Sequence, residues 1–98
     1  MDKDEAITII RQNRSILSDF HVRAIFLFGS VVRGEAGPGS DIDILVEFKP
    51  GAQIGLFGFA RLQQRLSELL GISVDLATPA SLHKALKERI LKEAVRAA

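Results

Sequence analysis

The sequence predicts an α/β (α+β) domain, a small three-stranded sheet with helices packed on one face. Three observations carry that expectation. Val22–Phe28, Asp41–Phe48 and Ser73–Thr78 are short apolar runs rich in β-branched and aromatic residues, as strands require. The segments between and around them repeat apolar residues at helical spacing. In the second and third runs the apolar residues alternate with polar ones, so one face is built for burial and the other for solvent.

The elements follow in order as α-β-(α)-β-α-β-α. From about Asp4 to Leu17, Ile7, Ile10 and Leu17 mark a helix, with Ile9 and Ile16 widening its face. Val22–Phe28 then ends at Gly29 as a buried strand. Ser30–Gly34 is expected to form one helical turn. The loop EAGPGS follows, where glycines and Pro38 oppose regular structure. In the second strand Ile42, Ile44, Val46 and Phe48 face one way, and Asp41, Asp43, Leu45 and Glu47 the other. A second helix runs from about Gly55 to Leu70, carried by Phe59, Leu62, Leu66, Leu69 and Leu70, and stopped by Gly71. The third strand sets Val74 and Leu76 against Ser73, Asp75 and Ala77. Pro79 opens a final helix through Leu82, Leu86, Ile90 and Ala94, with a break expected near Lys87. A strand–helix–strand unit favours parallel pairing of the second and third strands through a right-handed crossover.

Face-matching then makes a chemical prediction. If Ile42, Ile44 and Val46 lie under the helices with Val74 and Leu76, Asp41, Asp43 and Asp75 emerge together on the opposite face. Asp41 and Asp43 are two residues apart, roughly 6.5–7 Å between Cα atoms in a strand. Carboxylates that close repel unless a cation lies between them, and a divalent metal is the usual solution. Just upstream, the Gly29-Ser30 turn offers unhindered backbone N–H groups and a hydroxyl, which suit phosphate oxygens. A phosphate cradle beside metal-holding carboxylates points to nucleotide chemistry.

The pattern G-S-x-x-R-G-x5-S-D-x-D is filled by Gly29, Ser30, Arg33, Gly34, Ser40, Asp41 and Asp43. It resembles the signature of the DNA polymerase β-like nucleotidyltransferase superfamily. The short chain resembles the prokaryotic minimal nucleotidyltransferases, often paired as antitoxins with HEPN-domain ribonuclease toxins. The likeness continues through VDLATP around Asp75 to ERILKEAV. Val32 departs from it, standing where many relatives carry a small residue, but removes no reactive group. The resemblance implies a nucleotidyltransferase fold with the first strand antiparallel to the second. It also implies AMP transfer from ATP to a hydroxyl of a partner protein, a HEPN ribonuclease modified on tyrosine. Mg²⁺ (or Mn²⁺) in a two-metal site would be held by Asp41, Asp43 and Asp75. Asp75 would also accept the acceptor's proton, and Gly29 and Ser30 would hold the triphosphate.

The remaining residues are read with alternatives. Arg33 either meets a phosphate or pairs with an acidic side chain that pins the loop. Ser40 either caps the loop or bonds a backbone group near the metals, with the structural use favoured. Glu47 lies too far along its strand for a fourth ligand. His21 and His83 lack histidine or cysteine partners at ligand spacing and are expected on the surface or at helix ends. Phe57 and Phe59 are expected in the core or, if exposed, to stack a base or meet a partner, and Lys84, Lys87, Arg89 and Lys92 of the last helix, matched by Glu88 and Glu93, on a solvated face.

Bulk properties bound the function. The 98 residues fit a single domain, 1–98, near the lower end of size for an independent core. Thirteen basic against twelve acidic residues give no electrostatic funnel for nucleic acid. There is no cysteine, hence no disulfide or thiolate site, and no signal-peptide pattern or membrane-spanning run, so a soluble cytoplasmic protein is expected. Without a second lobe, the acceptor would come from a partner, or a second copy would complete the cleft as a homo-oligomer. The rival functions are a binding-only antitoxin that occludes its toxin, and an oligomeric nucleotidyltransferase acting on a small molecule or RNA.

Overall fold

In the computed structural model, which describes residues 1–37 and 39–98, a four-stranded sheet is backed by helices. Pro38, expected to interrupt regular structure, lies outside the described residues. Helix α1 spans Lys3–Gln12, α2 Arg14–Asp19, β1 Val22–Phe28, α3 Ser30–Arg33, β2 Ile42–Phe48, α4 Gly55–Leu70 and β3 Val74–Ala77. A 3₁₀ turn at Pro79–Ser81, helix α5 at Lys84–Glu93 and strand β4 at Val95–Arg96 complete the chain. The strand order is β3-β2-β1-β4. β1 runs antiparallel to β2 and β4, while β2 and β3 are parallel across the α4 crossover, as expected.

The fourth strand is a correction to the sequence reading, which ran the last helix through Ala94. β1 would otherwise be an edge with unpaired backbone groups. Val95 and Arg96 pair with Leu27 and Phe26, and Ile25 exchanges backbone bonds of 2.8 and 3.0 Å with Ala97 and Ala98. The long-range pairing ends the helix at Glu93 and buries Ala97 completely. The last helix also begins later than expected. Pro79 opens only a capped 3₁₀ turn, and α5 starts after His83, whose Nδ1 accepts the Ala85 N–H at 3.3 Å.

The expected first helix is divided at Asn13. Asp2 caps its start by accepting the Glu5 N–H at 2.8 Å, and Asp4 and Glu5 complement the helix dipole. Asn13 ends it by donating its side-chain N–H to the Ile9 carbonyl at 2.8 Å, and α2 restarts immediately. α4 presents Leu62, Leu66 and Leu70 at four-residue spacing, all buried. Gly71, at φ +69°, stops it with an N–H bond to the Ser67 carbonyl that other residues would strain to make.

The apolar faces meet as alternation requires. Ile42, Ile44 and Val46 pack with Val74, Leu76, Leu62, Leu66, Ile10 and Ile25 in one core. Leu45 on the other face is also buried, where the 3₁₀ turn packs against β2, so that face is only partly open. Phe59 packs against the core, but Phe57 is 82 % exposed beside Leu56 at 79 %. Phe57 is thus not a core residue. It falls on the outer side of α4, since the buried stripe runs through Leu62, Leu66 and Leu70.

Candidate active site

The site begins with Gly29. β1 leads into it, and at φ +77° and ψ −152° the backbone takes a path that side chains disfavour before α3 starts at Ser30. The opposing strand makes the glycine still more necessary. A Cβ at Gly29 would overlap Oδ2 of Asp43 and lie 3.0 Å from its Cγ. The missing side chain is therefore the space that the Asp43 carboxylate occupies.

Asp43 stands opposite Phe28 on β1 and beside Asp75 on β3. In-register neighbours share a face, with strands about 4.8 Å apart, so Asp43 and Asp75 emerge together. Asp41 lies exposed just before β2, two residues from Asp43. Asp43 is half-buried, and its carboxyl is pushed up from the ordinary carboxylate range. Desolvation is the main cause, followed by the negative charges of Asp75 and Asp41, while Arg33 pulls the other way. Asp43 and Asp75 are thus cross-strand neighbours, with Asp41 two residues before Asp43.

Among the described residues, no three acidic or histidine side chains converge closely enough to enclose an ion unaided. Carboxylate oxygens are the donors that Mg²⁺ takes, and it is bound through one or two of them with phosphate and water in the other positions. Desolvation first, and then the charges of Asp75 and Asp41, disfavour an ionised Asp43, and a cation placed there would offset both.

Arg33 is engaged by acids. Its Nε donates to Glu35 at 3.1 Å, and its Nη1 to both oxygens of Glu93 at 3.1 Å each. Oε1 of Glu93 also accepts the Gly29 N–H at 2.8 Å, which holds the Glu93 carboxyl below its ordinary range. Sequence reasoning assigned Glu93 to a solvated face, and nothing local could reveal a contact made 64 residues away. Ser30 opens α3, and its carbonyl accepts the Gly34 and Glu35 N–H groups. Ser40 closes the loop, its Oγ accepting the Gly37 N–H at 3.1 Å. Glu47 pairs with Arg23, away from the aspartates. His21 is exposed and His83 caps α5, as their sequence context suggested.

A cleft of about 210 Å³ adjoins the turn, bounded by Phe28, Gly29 and Arg33 on one side and by Leu86, Arg89, Ile90 and Glu93 of α5 on the other. The three aspartates line neither this cleft nor the larger grooves by His21 and Lys49–Gln53 and along α5.

This is the architecture of a nucleotidyltransferase: a Gly-Ser turn from one strand, two aspartates from the next and a third from its parallel neighbour. The chain belongs to the nucleotidyltransferase domain family, whose model matches residues 8–97. It is 40 % identical over 93 residues to the protein adenylyltransferase MntA of Thermococcus cleftensis, covering 94 % of this chain and 92 % of that one. A solved protein provisionally assigned as a minimal nucleotidyltransferase is 36 % identical, with a TM-score of 0.73 over 97 % of this chain and 95 % of the other. A chain of a solved toxin–antitoxin complex with AMP-PNP is 26 % identical, with a TM-score of 0.74 over 94 % of this chain and 72 % of the other.

Proposed function

We propose that the protein transfers AMP from ATP to a hydroxyl of a partner protein, a HEPN-type ribonuclease that it silences as an antitoxin. The observation that carries this reading is the pairing of Asp43 with Asp75 beside Gly29, with Asp41 two residues before. The resemblance to protein adenylyltransferase MntA across nearly the whole chain supports protein as the acceptor. The chain has no tyrosine of its own, so a tyrosine acceptor must come from elsewhere.

In the reaction, the acceptor oxygen bonds to the α-phosphorus of ATP, the bond from that phosphorus to the bridging oxygen breaks, and pyrophosphate leaves. Asp41, Asp43 and Asp75 would hold Mg²⁺, which supplies charge stabilisation to the triphosphate and acidifies the acceptor hydroxyl. Asp75, exposed at the start of β3, accepts the acceptor's proton. Ser30 at the Gly29 turn receives the β- and γ-phosphates, while the Gly29 N–H is held by Glu93 and the space of its missing Cβ by the Asp43 carboxylate. Arg33, its charge offset by Glu35 and Glu93, keeps Nη2 for a phosphate beside the turn. Ser40 acts at one remove by closing the loop that leads into Asp41.

The test is label transfer. Incubated with α-phosphate-labelled ATP, Mg²⁺ and a HEPN ribonuclease partner, the protein is expected to move label onto that partner, and a D41N/D43N variant is not. An unlabelled partner that the double variant still inhibits establishes occlusion instead. Label on tRNA or an aminoglycoside establishes a different acceptor class.

A further inference from the structure

Helix α5 contributes no buried side chain to the core, yet its last residue reaches the catalytic turn. The Gly29 N–H lies one step beyond the ladder in which Ile25 bonds Ala97 and Ala98, and Leu27 pairs with Val95. The Glu93 carboxylate takes the place that the next strand carbonyl would hold. The same carboxylate grips Nη1 of Arg33 with both oxygens, while Glu35 holds Nε. Among the described residues, Nη2 of Arg33 has no hydrogen-bond partner. The guanidinium is thus fixed along two edges with a donor group left over. A long side chain held this way surrenders its rotamer freedom before a ligand arrives.

We infer that Glu93 is a positioning residue, holding the Gly29-Ser30 turn and the Arg33 guanidinium in the geometry that receives the triphosphate. An exposed ion pair on its own contributes little. Here one carboxylate joins three parts, the turn, the arginine and α5, so its loss loosens all of them together. The opposite role, a resident carboxylate that ATP must displace, predicts the opposite sign of effect. The inference rests on the triphosphate reading of this site.

Calorimetric titration with ATP and Mg²⁺, together with melting temperatures, tests it on the full chain. Glu93→Gln keeps an amide oxygen for the Gly29 N–H but cannot form the ion pair. It is expected to weaken ATP binding about fivefold, and Glu93→Ala about tenfold or more. In an Arg33→Ala background, Glu93→Gln is expected to add less than about 1.5-fold, because its effect passes through Arg33. Glu93→Gln isolates the ion pair if Glu93→Ala proves poorly folded. Unchanged affinity in both variants overturns the inference while leaving the triphosphate site intact, and tighter binding replaces positioning with displacement. An undiminished effect of Glu93→Gln without Arg33 also overturns it. If the unaltered protein shows no metal-dependent ATP binding, the triphosphate reading fails, and the inference with it.

Discussion

Asp43 and Glu93 are carboxylates on two sides of one glycine, and their surroundings are opposite. Asp43 occupies the space of the missing Gly29 side chain, where desolvation and then the like charges of Asp75 and Asp41 push it up. Glu93 accepts the Gly29 N–H, pairs with Arg33 and is drawn down. The first environment opposes ionisation and the second rewards it. The contrast separates two parts of the site: a frustrated carboxyl that the proposed Mg²⁺ would relieve, and a satisfied one that braces the turn beside it.

The sharpest way to break the frustrated side is to remove its charge. D41N/D43N is expected to abolish AMP transfer, a loss of at least about a thousandfold, because the metal and the charge stabilisation it supplies go together. Quantifying labelled product under single-turnover conditions checks this, and substantial residual transfer would remove these residues from the chemistry.

Gly29→Ala strikes both sides at once. The new methyl overlaps the Asp43 carboxylate at a backbone angle that disfavours it, costing about 1–3 kcal/mol in strain alone. Thermal unfolding should show a drop of several degrees, together with a loss of ATP binding. Gly34→Ala is the control. Its φ is also positive, at +72°, but an added Cβ meets nothing within 4 Å. If the two variants behave alike, the crowding at Asp43 is irrelevant.

Asp75→Asn and Ser30→Ala divide binding from chemistry. Asp75 is assigned to the acceptor and its proton, so its loss is expected to lower kcat by about a hundredfold or more with little change in KM for ATP. Ser30 is assigned to the triphosphate bound before reaction, and its loss is expected to raise KM several-fold at nearly constant kcat. Steady-state kinetics on the pair would expose a reversed assignment.

The smallest expected effects carry the comparison in its purest form. A carboxyl raised by folding weakens the folded state when ionised, and this penalty starts to shrink as pH falls through the folded value and is gone below the unfolded one. A lowered one contributes stability above its unfolded value that is lost as pH falls through the folded value. In metal-free buffer near pH 7, Asp43→Asn should therefore raise the melting temperature slightly and Glu93→Gln lower it slightly. Both differences should shrink in acid, and high salt should reduce the Glu93 effect most, since that pair is exposed. Shifts of the same sign in the two variants would contradict the comparison.

The sequence disclosed the frustrated side and concealed the satisfied one, for a physical reason. Period-two alternation in Ile42–Val46 and Val74–Leu76 sets both the buried face and, by exclusion, the aspartate face. Those relations are local or pass through one short crossover. Glu93 depends on β4, a two-residue strand whose pairing is set by the open edge of β1 and by nothing in its own composition. The division of the first helix at Asn13 and the late start of α5 are likewise decided by side-chain caps. Phe57 was misplaced because an aromatic at the start of an amphipathic helix looks apolar enough for the core, while the stripe from Leu62 to Leu70 turns it outward.

The central claim is that the aspartate face and the Gly29-Ser30 turn form one site for a metal ion and a nucleoside triphosphate together. Calorimetric titration of the protein with ATP, in Mg²⁺ and again in excess chelator, tests it most directly. The account predicts saturable ATP binding with Mg²⁺ that weakens at least about tenfold in chelator, and only weak Mg²⁺ binding without nucleotide. Equal ATP affinity in both buffers would contradict it.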